Sequence, residues 1–282
     1  VLLTPFRASW QQQLLVAFSG LRGSLFSLCP DTETEVVLAH IFDDDDDADP
    51  DGSSYKRTQS RLEGYKNEIE QAGYEEISIV TRTGDISETV QGLAEEYDAD
   101  LVLVASHRKG FFKRALMGST TFDLARVTNI PLLINKAEVH EEQENLLQTI
   151  LVPTDFSRKS LEALNIIRSL REFVGKVIFV HVIEHSRNKQ DYKEKHDSAV
   201  LFLQELVDEM KIFGIEADYH VAHGVASKKI AAICERENVS LIMMAKTGAD
   251  MTNGDELGST SENVVLNVDC AVMLVPAEEN DD

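Results

Sequence analysis

Short runs of apolar residues alternate along the chain with amphipathic segments of helical length. EVVLAHIF (35–42) and KVIFVHVI (176–183) are apolar almost throughout. Residues 87–97 and 227–237 instead carry apolar side chains three or four positions apart, with charged residues elsewhere, as amphipathic helices do. Apolar strands separated by helices indicate a parallel sheet covered on both faces. The pattern therefore predicts an α/β fold.

The order of these segments repeats, which predicts two copies of one structural unit. The interval from Gly84 to Gly224 equals the interval from Gly118 to Gly258. Matching segments are 35–42 with 176–183, 98–106 with 238–246, and 129–134 with 269–274. The first of these pairs also has a His at the same place, and we interpret His40 and His181 as core histidines with hydrogen-bond partners.

Each copy is predicted to be a doubly wound domain with a parallel sheet of about five strands. The domains span residues 1–142 and 143–282, and the polar segment 136–148 joins them. The last strands of the copies, 130–134 and 270–275, are short, apolar and uncharged. Each leaves a sheet edge exposed unless another strand covers it. We expect these two strands to pair within the chain, so that the tandem domains pack as a pseudo-dimer.

Charge and composition exclude several classes of function. The formal net charge is −22, which repels nucleic acid and anionic membrane surfaces. No apolar run approaches the ~20 residues of a membrane-spanning helix, and no secretory signal is visible. The three cysteines, Cys29, Cys234 and Cys270, are far apart in the sequence, which argues against a disulfide framework and a zinc site. We expect a cytoplasmic protein with buried, apolar cysteines, no nucleic-acid partner and no membrane insertion in this segment.

The second copy has a constellation of residues suited to a nucleotide. Asp155 follows an apolar strand, at the sheet edge where open α/β folds bind ligands. The pattern A-x-x-G-x9-G-S-T occupies residues 245–260, and its last glycine, Gly258, opens a helix. Small residues let backbone amides approach an anion, and a helix N-terminus offers N–H groups with a partial positive charge. The P-loop and dinucleotide fingerprints are both absent from the sequence.

Simpler roles for these residues stay open at this point. Asp155 or Ser157 could serve only as a helix cap or in a turn. The Gly-Ser-Thr sequence at 258–260 could be an ordinary helix start, because it recurs at Gly118 in the first copy.

The segments ILVPTDFS and VHVIE, together with the spaced glycines, resemble the universal stress protein family in its tandem form. The resemblance covers essentially the whole chain. It implies adenine near Asp155 and Val182, and ribose and phosphates along residues 245–261. The residues expected to line this site are Pro153, Thr154, Asp155, Val182, Met244, Ala245, Thr247, Gly248, Gly258, Ser259, Thr260 and Ser261.

The second copy departs from the family pattern in two ways. Ala245 stands where ATP-binding members have their first glycine. Between the glycines, where relatives usually carry Lys or Arg, this chain has the acidic residues Asp250, Asp255 and Glu256. Carboxylates repel a triphosphate unless Mg²⁺ intervenes. The ligand therefore stays open among ATP, ADP and AMP, with Mg²⁺ as an optional companion and no other metal site.

The first copy departs further, and we predict that it binds no nucleotide. We read its first strand as VLLTPF (1–6), which has no counterpart of Asp155. Ala105 and Arg108 replace its first two glycines, and the Arg108 side chain would fill the space for a phosphate.

The leading hypothesis is an adenine-nucleotide-binding protein of stress response or regulation with one site, in the second half. The alternative is a scaffold that acts through protein contacts, as a homodimer, with another protein, or as the cytosolic regulatory tail of a transporter. An enzyme is the weakest hypothesis, with at most slow ATP hydrolysis, because the sequence offers no activated nucleophile and no partnered general base.

Overall fold

The computed structural model describes residues 13–17, 34–42, 48–105, 119–136, 145–248 and 257–277. Five strands come from each half of the chain. In the first half they are β1 (Gln13–Ala17), β2 (Glu35–Phe42), β3 (Ile77–Thr83), β4 (Leu101–Ala105) and β5 (Leu132–Asn135). In the second half they are β6 (Thr149–Pro153), β7 (Lys176–Ile183), β8 (Glu216–His223), β9 (Leu241–Ala245) and β10 (Ala271–Val275).

Helices connect the strands and cover the sheet. In the first half they are α1 (Ser53–Gln71), α2 (Ile86–Glu96) and α3 (Ser119–Val127). In the second half they are α4 (Arg158–Leu161), α5 (Ala163–Ser169), α6 (Lys189–Ile212), α7 (Ala226–Arg236) and α8 (Ser259–Asn267). In the described parts of the chain, no helix combines the length and apolar character that crossing a bilayer requires.

The strands form one ten-stranded sheet in the order β3-β2-β1-β4-β5-β10-β9-β6-β7-β8. Within each half all neighbouring strands are parallel. The order is the same in both halves when each is read from its outer edge toward the centre. This doubly wound arrangement with five strands per half confirms the predicted tandem α/β fold. The position of the domain boundary, at residues 142 and 143, lies outside the described residues and stays a prediction.

The two halves meet where β5 pairs with β10, the only antiparallel pair among the described strands. Leu133 lies opposite Met273, and Ile134 lies opposite Val272. This pairing confirms the expectation that the last strands cover each other within the chain. Because every side chain on these strands is buried, the seam between the halves is part of the core.

Apolar side chains form one layer on each face of the sheet, and both layers cross the seam. Leu133 and Met273 belong to one layer. Leu132, Ile134 and Val272 belong to the other. This alternation is what strands buried on both faces produce.

Two buried lysines also cross between the halves. Lys136, just after β5, donates hydrogen bonds to the carbonyl oxygens of Val265 and Val268 at the end of α8. Lys246, just after β9, donates to the carbonyl oxygens of Arg126 and Thr128 at the end of α3. The last carbonyl groups of a helix have no partner within it and carry a partial negative charge. Each half therefore supplies the cation that caps a helix of the other half.

Two sequence interpretations need correction. The strand of the first half that corresponds to β6, because it pairs with β2 and β4, is Gln13–Ala17. Residues 1–6, which we read as this strand, lie outside the described residues. VLLTPF and QLLVAF are both short apolar runs that fit the ILVPTDF of the second half, which explains the error. The segment 136–148 is not simply a polar connection, because Lys136, Leu146 and Leu147 at its ends are buried.

We expect Lys136→Met and Lys246→Met each to lower the free energy of unfolding by about 1–3 kcal/mol. Methionine fills a similar volume but leaves buried carbonyl oxygens without a donor, which costs about that much. Urea unfolding followed by circular dichroism measures the effect.

The matched control for this prediction is Lys211→Met. The Lys211 side chain is 58% exposed, and its ammonium group lies 3.0 Å from the exposed carboxylate of Asp208 in the same helix. Its replacement should therefore change stability by no more than about 0.5 kcal/mol. Unchanged or raised stability in both buried variants would show that desolvation of the ammonium groups outweighs the caps.

Candidate functional site

The candidate site lies at the point in the second half where the order of strands reverses. β6 and β9 are neighbours, with Ile150 opposite Leu241. From β6 the chain crosses to β7 on one side, and from β9 it crosses to β10 on the other side. The loops after such strands separate and leave a crevice at the carboxyl edge of the sheet, where ligands bind in open α/β folds. Asp155 follows β6 and Gly248 follows β9 at this edge.

Thr154 fixes the start of the loop after β6. Its amide donates to the carbonyl oxygen of Val180 at 2.9 Å, which continues the pairing of β6 with β7. Its buried hydroxyl oxygen accepts from the amide of Phe156 at 2.9 Å and lies 2.8 Å from the hydroxyl of Ser160. Phe156 has a φ of 66°, which is an uncommon conformation for a bulky residue. The Thr154 hydroxyl therefore stabilises a turn that the backbone would otherwise disfavour.

Asp155 lies at the tip of this turn and is exposed. Its Oδ1 accepts from the amide of Ser157 at 3.0 Å and from the hydroxyl of Ser157 at 2.5 Å. Its Oδ2 faces the loop after β9, since a Cβ atom built on Gly248 would lie 3.6 Å from it. One oxygen of the carboxylate thus holds the turn, and the other lies at the opposite wall of the crevice.

Gly248 and Gly258 bring the ends of the glycine stretch together. The amide of Gly258 donates to the carbonyl oxygen of Lys246 at 3.0 Å. A Cβ atom on Gly258 would lie 3.3 Å from that same oxygen and 3.6 Å from the backbone nitrogen of Gly248. Gly258 has a φ of −63°, so the close approach and not the backbone conformation favours a glycine here.

The N-terminus of α8 follows Gly258 directly and borders the same crevice. Among the described residues no side chain caps this helix, and N–H groups in the first turn have no partner within a helix. Ser259 is exposed at this end. Ser261 is buried and donates its hydroxyl to the carbonyl oxygen of Ala245 at 2.9 Å, which joins α8 to β9.

The predicted site residues divide into those at the crevice and those behind it. Asp155, Gly248, Gly258, Ser259 and Thr260 lie at the loops and helix start that form the crevice. Val182 is half-buried near the end of β7. The remaining predicted residues are buried beneath the loops of the crevice. They are Pro153, Thr154, Met244, Ala245, Thr247 and Ser261.

His181 is a supporting residue whose role the sequence interpretation did not assign. Its Nδ1 lies 2.9 Å from the carbonyl oxygen of Thr154, and its ring stacks on Phe156 with centroids 4.4 Å apart. The expectation of a hydrogen-bonded histidine is confirmed, and the bond holds the residue next to Asp155. The shared His of the segments 35–42 and 176–183 was the signal that could have pointed to this role.

Several predictions concern residues outside the described parts of the chain. They include Arg108 and Gly118 of the first half, and the acidic residues Asp250, Asp255 and Glu256 of the second. In the first half, α3 begins at Ser119, as α8 begins at Ser259. β1 ends at Ala17, and the next six residues in the sequence, FSGLRG, include no acidic residue. The lack of a counterpart to Asp155 therefore still holds for the sequence.

The family signature supplies the decisive comparison. The sequence pattern of the universal stress protein family matches residues 25–136 and again residues 147–276. The chain belongs to the universal stress protein family. One match in each half confirms the tandem form that the repeated segments predicted.

Individual universal stress proteins are similar to this chain in sequence or in fold. One from Methanocaldococcus jannaschii is 28% identical over 145 residues, which are 47% of this chain and 84% of that protein. The crystal structure of one from Archaeoglobus fulgidus has a TM-score of 0.71 at 21% identity, covering 96% of this chain and 98% of that chain. A putative universal stress protein from Pseudomonas aeruginosa has a TM-score of 0.70 at 15% identity, covering 94% and 93%. The two structures show that the whole tandem fold is shared.

We expect Thr154→Val to lower the free energy of unfolding by about 1–3 kcal/mol, because it leaves the amide of Phe156 without its acceptor in a partly buried turn. Thr154→Ser keeps the hydroxyl and is the matched control, with a smaller loss from the missing methyl group. Urea unfolding of both variants measures the difference. Equal losses in the two variants would mean that packing, and not the hydroxyl, stabilises the turn.

Proposed function

We propose that the second half binds an adenine nucleotide in the crevice between the loops after β6 and β9, and that the protein has a regulatory or stress-response role. One observation carries the proposal. A carboxylate, two closely approaching glycines and a helix N-terminus without a described side-chain cap converge at the switch point of the sheet. We assign these residues to binding and none of them to catalysis.

Each group in the crevice suits a different part of a nucleotide. The first-turn N–H groups of α8 and the hydroxyls of Ser259 and Thr260 suit the phosphates, since a helix N-terminus attracts anions. Gly248 has no side chain to occupy the space beside Asp155 Oδ2, which an added Cβ atom would approach to 3.6 Å. Asp155 suits a hydrogen-bond donor of the ribose or the base, because a carboxylate accepts and does not donate. Val182, at the end of β7, offers an apolar contact for the base.

The local charges favour a ligand with few phosphates. Lys246 is the basic residue within residues 245–248, but its ammonium group donates hydrogen bonds to the carbonyl oxygens of Arg126 and Thr128 in the other half. Backbone N–H groups therefore provide the attraction at this end of the crevice, and they do not add a full positive charge. The net charge of −22 opposes the approach of any anion. We propose that AMP and ADP bind at least as well as ATP when Mg²⁺ is absent.

Titration calorimetry with AMP, ADP and ATP, each with and without Mg²⁺, tests the proposal. We expect one nucleotide per chain, and Asp155→Asn should weaken binding by about ten- to a hundredfold. That range corresponds to the loss of a hydrogen bond to a charged group. Asparagine keeps an acceptor oxygen for Ser157, so the turn should persist while the charge is removed.

Asp85→Asn is the matched control for this experiment. Asp85 Oδ1 accepts from the hydroxyl of Ser87 at 2.6 Å and from the amide of Glu88 at 3.0 Å, an arrangement similar to that of Asp155. It caps the start of α2 in the first half, so its replacement should leave binding unchanged. Two equal sites per chain would overturn the assignment to the second half. No binding of any adenine nucleotide would favour the scaffold hypothesis instead.

Gly248→Ala should weaken nucleotide binding while stability changes little. The added methyl group would meet Asp155 Oδ2 at 3.6 Å, which is an ordinary contact, but it would occupy the space assigned to the ligand. Gly64→Ala is the control: Gly64 is in α1 with no atom within 4 Å of an added Cβ, so the change should raise stability by up to about 1 kcal/mol and leave binding unaltered. Full affinity in Gly248→Ala would place the ligand elsewhere.

A further inference from the structure

Two cysteines that are far apart in the sequence lie in contact in the fold. Cys234 is in α7, Cys270 immediately precedes β10, and their Sγ atoms are 2.9 Å apart. Both residues are buried, with 6% and 7% of their surface exposed. The expectation of buried cysteines is confirmed for these two, and both are free thiols in the structure. Neither thiol belongs to the crevice described above.

The two thiols differ in pKa because their surroundings differ. The hydrogen bond from Cys270 holds the pKa of the Cys234 thiol below its usual value, against the effect of burial, and the ammonium group of Lys136 acts in the same direction. The pKa of Cys270 is raised, by its hydrogen bond to Cys234, by burial and by the neighbouring sulfur. The carboxylate of Asp269 opposes Lys136 at Cys234. Cys234 is thus the thiol that ionises first.

We propose that Cys234 and Cys270 are a redox-active pair of thiols that hydrogen peroxide converts to a disulfide. A disulfide has an S–S distance of about 2.05 Å, so the sulfur atoms need to approach by only about 0.9 Å from their present 2.9 Å. The pair is shielded from large molecules, but hydrogen peroxide is nearly as small as water. The proposal does not depend on nucleotide binding.

The reaction has two steps with peroxide as the oxidant. The Cys234 thiolate attacks one oxygen of hydrogen peroxide, the O–O bond breaks, and hydroxide leaves and takes up a proton to become water. The Cys234 sulfenic acid then reacts with the Cys270 thiol, an S–S bond forms, and a second water leaves with the thiol proton. The two thiols lose two electrons in total, and one peroxide is reduced to two waters.

Lys136 would couple this chemistry to the seam between the halves. The same ammonium group that favours the Cys234 thiolate also caps the end of α8. The disulfide would connect α7 to the start of β10 and close a loop between positions 36 apart in the sequence. Closing such a loop constrains the unfolded chain, so oxidation should raise the urea concentration at the midpoint of unfolding.

Thiol mapping of the full chain tests the proposal directly. The protein is exposed to hydrogen peroxide, denatured in acid, alkylated and digested, and the peptides are identified by mass spectrometry. We expect two thiols per chain to be lost and the peptides of Cys234 and Cys270 to be linked, with the same result in a Cys29→Ser control. Two thiols still alkylated at positions 234 and 270, or a link that requires Cys29, would overturn the proposal.

The role of Lys136 as a positioning residue has its own test. Lys136→Met should slow disulfide formation at neutral pH by about three- to tenfold and move the pH–rate profile to higher pH, because the thiolate is the reacting form. Lys246→Met removes the equivalent cap from the other half and is the matched control, expected to leave the profile unmoved. A profile that moves equally in both variants, or in neither, would show that Lys136 does not set the reactivity of Cys234.

Discussion

The antiparallel pairing of β5 with β10 is the contact on which the rest of the architecture depends. It joins two five-stranded sheets into one, so that the apolar layers on both faces continue from one half to the other. It also brings the end of each half's last helix within reach of a lysine from the other half. Because a buried ammonium group is unfavourable without acceptors, the two lysines fit only an assembled molecule.

The sheet positions the candidate crevice, but the sheet does not depend on the exposed residues of the crevice. Thr154, His181 and Ser261 hold the loops in place through buried hydrogen bonds. Asp155 and Gly248 are exposed at the carboxyl edge of the sheet and contribute little to the core. The first half has the same order of strands and the same helix start at Ser119, yet the six residues that follow β1 in its sequence, FSGLRG, include no acid. The fold can therefore persist in a half whose site has changed.

The sequence was sufficient for features that depend on local periodicity and repetition. The apolar runs 35–42 and 176–183 became β2 and β7 with the same ends, and the helical patterns at 87–97 and 227–237 were placed within one residue. The first strand was misplaced because two neighbouring apolar segments fit the pattern. The contacts of Lys136, Lys246 and the Cys234–Cys270 pair join residues 36 or more positions apart. No local pattern specifies such contacts, and they require the packed structure.

The reciprocal lysine caps also bear on how such a chain could evolve. A two-fold arrangement of separate subunits would carry every substitution twice, once in each copy, and a change that abolished one pocket would abolish both. In a single chain, the side-chain contacts that hold the halves together come from residues other than Asp155 and Gly248. Selection can therefore preserve Lys136, Lys246 and the seam strands while the residues at the carboxyl edges of the two halves diverge from each other. The fused chain thus gives one half mutational freedom that a symmetric dimer lacks.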